Sequence, residues 1–185
     1  MALRQQLRRS DIRTARLNTA TRHSVPVKGE RGREPRVMDE ALRAKILDLL
    51  ASQHLMTLAT IRSDGYPQAT TVNYINDGLS VYFATDAASQ KVGNITLNNK
   101  VSIAITSQTE DFYKLSGLSM SGVATRILEK EMADEILLRL FRRLPQSKRF
   151  VAQDLGSLAL YSITPVAVAL VDYSSGFGKR FLVEL

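Results

Sequence analysis

The chain of 185 residues is 44% hydrophobic, which is enough for one domain with a sizeable core and an extension. It contains no cysteine, so disulfides, thiolate metal sites and cysteine nucleophiles are excluded. Its two histidines, His23 and His54, argue against a multi-histidine metal site. No stretch approaches the roughly 18 consecutive apolar residues of a transmembrane helix, and we expect a cytoplasmic protein.

The positive charge belongs to the first 37 residues. Of the 25 basic and 18 acidic residues, residues 1–37 hold ten and three, so residues 38–185 hold fifteen of each and are neutral. We interpret 1–37 as a basic, flexible extension and 38–185 as the folded domain. The arginines of the extension could attract phosphate backbones or anionic lipid, and its composition also resembles a mitochondrial transit peptide.

The domain begins with apolar residues at helical spacing, after a linker rich in proline and glycine. The pattern then alternates between β-branched runs and short helical segments, with Ser89 as a suitable N-cap and Pro165 separating two late strands. In chain order the predicted elements are a helix at 39–52, strands at 55–61, 68–75 and 79–85, a helix at 89–97, strands at 101–106 and 118–128, a helix at 129–144, and strands at 158–163, 166–172 and 180–184.

These strands follow one another with few helices between them. Asp64 and Gly65 favour a tight connection between the first two strands. Such an order favours an antiparallel barrel or sandwich over a parallel doubly wound sheet. Antiparallel barrels close their edges and often hold a ligand at the mouth or on the outside.

A polar turn follows the third strand and carries Thr85, Ser89 and Lys91. An ammonium group beside a helix start suits a phosphate, because the free N–H groups of the first turn add their own attraction. The alternative is that Ser89 only caps a helix and Lys91 is a surface lysine. The second reading would hold for an isolated Ser-x-Lys. We favour the phosphate because this turn follows a strand that ends in Thr85 and lies within an ordered series of motifs.

Several short motifs occur in an order that resembles the pyridoxamine-phosphate-oxidase-like, FMN-binding split barrels. They follow a leading helix and a strand that ends in Thr60. The matching segments are Asp64-Gly65-Tyr66-Pro67, Tyr82-Phe83-Ala84-Thr85, Ser89-Gln90-Lys91, Asn98-Asn99-Lys100-Val101-Ser102, Gly122-Val123-Ala124 and Thr164-Pro165.

The resemblance implies a mainly β fold, an antiparallel Greek-key split barrel with peripheral helices. It also implies a homodimer with FMN at the subunit interface, and flavin redox chemistry on a small molecule, in which hydride passes through the flavin N5. We expect no nucleic-acid partner, because the domain is neutral and has no basic face studded with aromatic residues.

The resemblance assigns cofactor contacts to four parts of the chain. They are Thr70, Thr71, Val72 and Asn73 on the strand that faces the flavin ring, Tyr82, Ala84 and Thr85 on the next strand, Ser89, Gln90 and Lys91 at the helix start, and Arg180 near the C-terminus.

The chain departs from the true oxidases at several positions. Those enzymes have an arginine near Thr70 and a lysine near Ile75 for the FMN phosphate, and both are absent here. Gly176 and Gly178 stand where the oxidases keep a substrate-binding arginine and histidine, whereas Arg180 matches an arginine that contacts flavin. We therefore expect flavin contact without recognition of pyridoxamine phosphate, because glycine offers no bidentate partner for its anion.

A second hypothesis is a non-catalytic protein of the same fold that binds or carries flavin, haem or the deazaflavin F420, as some relatives do. Haem usually takes a histidine or similar axial ligand, and His23 in the extension and His54 at a strand start disfavour it. F420 remains an alternative cofactor, because Lys91 could serve either phosphate.

Overall fold

The computed structural model describes residues 37–145, 157–176 and 179–185. The predicted extension, apart from Val37, lies outside these residues. The described elements are, in chain order, α1 (Glu40–Ser52), β1 (Leu55–Ile61), β2 (Pro67–Asn73), β3 (Ile75–Asp77), β4 (Ser80–Asp86), α2 (Gln90–Leu97), β5 (Lys100–Thr106), β6 (Ser116–Arg126), α3 (Lys130–Arg143), β7 (Leu158–Asp172) and β8 (Arg180–Glu184), with short 3-10 turns at Phe112–Lys114 and Tyr173–Ser175.

The strands form one antiparallel sheet in the order β2-β1-β5-β6-β7-β4-β3, and β8 pairs with β7. Side chains alternate between buried and exposed along β1 and β5, as expected of strands with one face against a core. The end strand β2 lies near β4 without pairing to it. The sheet therefore curls into a split half-barrel, which confirms the predicted fold class.

The core fills the concave side of this sheet. Helix α1 contributes Leu42, Ile46, Leu49 and Leu50 to it, and the buried Tyr74 donates its hydroxyl to the carbonyl of Leu50 at 2.9 Å. A smaller apolar cluster lies between α3 and the β3–β4 edge and contains Ile75, Ile127, Ile136, Leu140 and Leu160.

The predicted strand at 68–75 is divided in two. Residue Tyr74 is fully buried and donates its backbone N–H to the carbonyl of His54 at 3.0 Å. Its ring needs a place in the core, so the chain breaks the ladder of β2 at Asn73 and resumes pairing with β4 from Ile75. The single predicted strand is thus two strands, β2 and β3, which lie at the two ends of the sheet.

The predicted break at Pro165 is absent. Strand β7 runs through it as one strand of 15 residues. The neighbouring strand β6 shifts register between Ser121 and Gly122, and Pro165 stands opposite Gly122. Proline cannot donate to a ladder, and the shift leaves Val166 of β7 without a partner on β6, a bulge in β7 that accommodates the missing hydrogen bond.

Candidate functional site

The start of α2 gathers three polar side chains around one point. The Nζ of Lys91 donates to Thr85 Oγ1 at 3.2 Å, and Thr85 Oγ1 lies 3.4 Å from Ser89 Oγ. All three residues are half-buried. We call Thr85, Ser89 and Lys91 the polar triangle.

Residue Ser89 occupies the N-cap position of α2, as predicted, but its side chain makes no capping hydrogen bond to the helix. The hydroxyl instead faces Thr85. Because the first N–H groups of a helix have no partner within it, this end of α2 offers backbone donors beside the triangle. An ammonium, two hydroxyls and these amides form a donor set that fits a phosphate group.

A second polar group ties α2 to the sheet. The Nδ2 of Asn94 donates to Thr60 Oγ1 and to Gln68 Oε1, both at 2.9 Å, and Gln68 Nε2 donates to Gln90 Oε1 at 2.7 Å. We call Thr60, Gln68, Gln90 and Asn94 the amide relay. Neither Asn94 nor Gln68 was predicted from the sequence as part of the site. An asparagine between the apolar residues Val92 and Ile95 was the available signal, because a polar residue there is buried and needs partners.

The strand predicted to face a flavin ring presents two different faces. Thr71 and Asn73 point outward and are exposed, whereas Val72 lies in the core. Thr70 shares the inward side, and among the described residues its buried Oγ1 has no hydrogen-bond partner. The hydroxyl of Thr70 is therefore enclosed by protein atoms rather than open to the outward face.

Tyr82 and Ala84 lie on the opposite face of β4 from Thr85 and pack against the α3 cluster. Ile75 belongs to the same cluster and is only 4% exposed. Ile75, near which the resemblance places a phosphate-binding lysine of the true oxidases, is therefore part of an apolar contact with α3 in this chain. The structure does not bring Tyr82 or Ala84 to the polar triangle.

Arg180 lies far from the triangle within one chain. Thr85 pairs with Ala159 and Arg180 with Val171, at opposite ends of β7. These partners are 12 residues apart, or about 40 Å along the strand. Arg180 is exposed. Gly176 adopts φ +122°, whereas Gly178 lies outside the described residues.

The turn before Arg180 is fixed by a buried carboxylate. Asp172 accepts hydrogen bonds from Lys45 Nζ at 2.6 Å, from the backbone N–H and hydroxyl of Ser174, and from Ser175 Oγ. Burial raises the pKa of this carboxyl, but the bonds from Lys45, Ser174 and Ser175 outweigh it and lower the pKa to about 2. Asp172 is therefore ionised at neutral pH and joins α1 to the β7–β8 connection.

The described residues contain no cluster of three or more side chains suited to a metal ion. His54 is half-buried at the start of β1, the end of that strand remote from Thr60 and the amide relay. His23 lies outside the described residues. Within the part of the chain that the structure describes, no helix is long and apolar enough to span a membrane.

A curled antiparallel sheet whose strands β2 and β4 lie near each other without pairing is the fold of the split-barrel proteins. A family model described as pyridoxamine 5'-phosphate oxidase matches residues 42–172. The chain belongs to that family. No curated protein gives a significant match.

Several solved structures share the fold. A conserved hypothetical protein from Mycobacterium tuberculosis is 28% identical with a TM-score of 0.64, over 77% of this chain and 91% of that one. A heme binding protein from Mycobacterium smegmatis is 22% identical with a TM-score of 0.66, over 80% of this chain and 60% of that one. A FAD-binding protein from Mesorhizobium loti is 12% identical with a TM-score of 0.58, over 69% of this chain and 91% of that one.

Proposed function

We propose that this chain is an FMN-binding oxidoreductase that acts on a small molecule. The observation that carries the proposal is the polar triangle, in which Lys91 Nζ lies 3.2 Å from Thr85 Oγ1 at the start of a helix. A lysine that remains open to solvent gains little stability from a single hydroxyl partner. A phosphate at this point would instead accept hydrogen bonds from the ammonium of Lys91, both hydroxyls and the helix amides together. Membership of the pyridoxamine 5'-phosphate oxidase family supports this reading.

Lys91, Ser89 and Thr85 would hold the phosphate, and the exposed side of β2, with Thr71 and Asn73, would lie along the ring. The flavin supplies hydride transfer when bound. The protein contributes orientation, charge balance at the phosphate and exclusion of water. With Ile75 buried against α3, the phosphate depends on Lys91 and the hydroxyls.

We further propose a homodimer with the flavin at its interface. Along the outward face of β1, β5 and β6 the side chains are mostly small or apolar and include no carboxylate. They are Leu55, Thr57, Ala59, Ile61, Lys100, Ser102, Ala104, Thr106, Ser119, Ser121 and Val123. A groove of about 460 Å³ on this face continues to Val166, which is 48% exposed. Surfaces of this composition favour protein contacts.

The dimer would also account for the position of Arg180. This arginine and the polar triangle lie at opposite ends of β7. A role for both at one flavin therefore calls for two subunits, with the triangle from one and Arg180 from its partner.

A second candidate is a protein that binds F420, favoured by the low charge of the triangle. A phosphate monoester carries up to two negative charges near neutral pH, whereas the phosphodiester of F420 carries one. Thr70 and Ile75 replace the two cations of the true oxidases, and Lys91 is the cation of the triangle. One ammonium with two hydroxyls matches a monoanion.

The test is to titrate the purified full chain with FMN, F420 and haemin. We expect saturable quenching of FMN fluorescence and a dimer on light scattering. Tighter binding of F420 than of FMN would favour the second candidate. A saturable shift and sharpening of the Soret band relative to free haemin, with no response to either flavin, would contradict the proposal.

A further inference from the structure

Asn94 is a buried amide on a short helix. It is 5% exposed, and its Nδ2 donates one hydrogen to Thr60 on β1 and the other to Gln68 on β2, both at 2.9 Å. A buried side-chain amide whose two N–H groups are both used has one favoured orientation. Asn94 therefore fixes the rotation of α2 about its axis.

The hydrogen bonds of the relay also reach the first turn of the helix. Gln68, which accepts from Asn94, donates to Gln90 at 2.7 Å. Gln90 is the first residue of α2 and immediately precedes Lys91. The two hydrogen bonds to Gln68 thus hold α2 against β2 at two levels, one turn apart.

The helix depends on such contacts. α2 has eight residues, too few for a stable helix in isolation. It contacts β1 beside the split, where β2 and β4 lie near each other without pairing. Thr85 belongs to β4 and Lys91 to α2, so the distance between them depends on how α2 sits against the sheet.

We propose that Asn94 and Gln68 are positioning residues for the phosphate site. They touch no ligand and act by holding the first turn of α2 where Lys91 and Ser89 meet Thr85. This inference rests on the proposed flavin-binding function. It adds two residues outside the phosphate site that set the positions of the phosphate donors.

The test compares Asn94→Leu and Gln68→Met with Thr96→Ala in the full chain, by fluorescence titration with FMN and with riboflavin, which lacks the phosphate. Leucine matches asparagine in shape and methionine matches glutamine in length, but neither can form the relay. Thr96 lies on the same helix, is exposed, and donates its hydroxyl to the carbonyl of Val92 within that helix. Thermal unfolding identifies any variant that fails to fold. If one relay variant fails, the FMN and riboflavin affinities of the other test the proposal.

We expect FMN affinity to fall about tenfold to a hundredfold in both relay variants, with riboflavin affinity within about twofold of wild type, because misplacement by an ångström is costly at a binding site. Thr96→Ala should bind both flavins as wild type does. In a Lys91→Ala background, Asn94→Leu should have little further effect on FMN affinity, since both substitutions act on the same contact between Lys91 and the phosphate.

Equal weakening of FMN and riboflavin would overturn this inference, because the relay would then support the cleft as a whole. Unchanged FMN affinity in the relay variants would overturn it as well. A wild-type protein that binds neither flavin would overturn the proposed function itself, and the two failures are therefore distinguishable.

Discussion

At the scale of single residues, Asp172 is the most deeply buried charged group among the residues that the structure describes. It is 4% exposed and accepts from a lysine on α1 and from two serines in the turn that follows it. Protonation of this buried carboxylate weakens its hydrogen bonds to Lys45, Ser174 and Ser175, which costs stability.

The free energy of unfolding should therefore fall when the medium becomes acidic. The pKa of Asp172 lies at about 2 in the folded chain, against 3.8 ordinarily, so its stabilisation is complete above about pH 4 and is lost as the pH falls towards 2. The shift corresponds to roughly 2 kcal/mol. Urea unfolding between pH 7 and 2.5 should show this loss in wild type and much less of it in Asp172→Asn. Parallel curves for the two proteins would contradict the assignment.

The side chains of the candidate site were predictable to different degrees. Thr85, Ser89 and Lys91 follow from local spacing, because a strand end and a helix start place them on one turn. The partners of Asn94 could not be read from the sequence, since Thr60 and Gln68 are 34 and 26 residues away along the chain. Long-range pairing of this kind is set by the sheet register.

At the scale of elements, a bulge at Val166 of β7 lies beside the close approach of β6 at Gly122. A Cβ placed on Gly122 would lie 2.7 Å from both the backbone oxygen of Thr164 and the Cγ2 of Ile163. Backbone atoms in a paired strand cannot easily move away. Glycine at this position lets β6 approach β7 beside Pro165.

Gly122→Ala should therefore destabilise the fold by about 1–3 kcal/mol. Gly117→Ala is the matched control, because a Cβ at Gly117 in the same strand meets only the oxygen of Ile105, at 4.0 Å. The control should change the free energy of unfolding by less than about 0.5 kcal/mol. Thermal and urea denaturation of both variants measure the difference, and equal stability of the two would show that the close approach at Gly122 is unimportant.

Elements whose residues follow a local hydrophobic pattern lie where the sequence predicts them. The helix predicted at 39–52 is α1, with the Asp39 carboxylate accepting from Leu42 N–H at 2.7 Å, and the strand predicted at 55–61 is β1. The division at Tyr74 and the continuity through Pro165 were not predictable. In each case a tertiary contact overrides the local signal: burial of the Tyr74 ring in the first case, and pairing of β7 with β6 on both sides of a bulge in the second.

At the scale of the whole molecule, the proposed dimer predicts that one charge on the outward face separates the subunits. Val166→Arg should shift the protein to a monomer on light scattering and weaken FMN binding, because the partner no longer completes the site. Leu138→Arg on α3 is the matched control, with 49% exposure against 48% for Val166. A Val166→Arg protein that remains dimeric, or a wild-type monomer at micromolar concentration, would contradict the interface.

We propose that the triangle of Thr85, Ser89 and Lys91 binds the phosphate of a flavin. The most direct measurement is fluorescence titration of Lys91→Gln with FMN and riboflavin, beside Lys130→Gln, whose lysine pairs with Asp134 on the surface of α3. Losing a charged hydrogen bond of about 1.5–3 kcal/mol should weaken FMN binding by about ten- to a hundredfold in Lys91→Gln alone and leave riboflavin unchanged. FMN affinity equal to that of wild type, or an equal loss for both flavins, would contradict the claim.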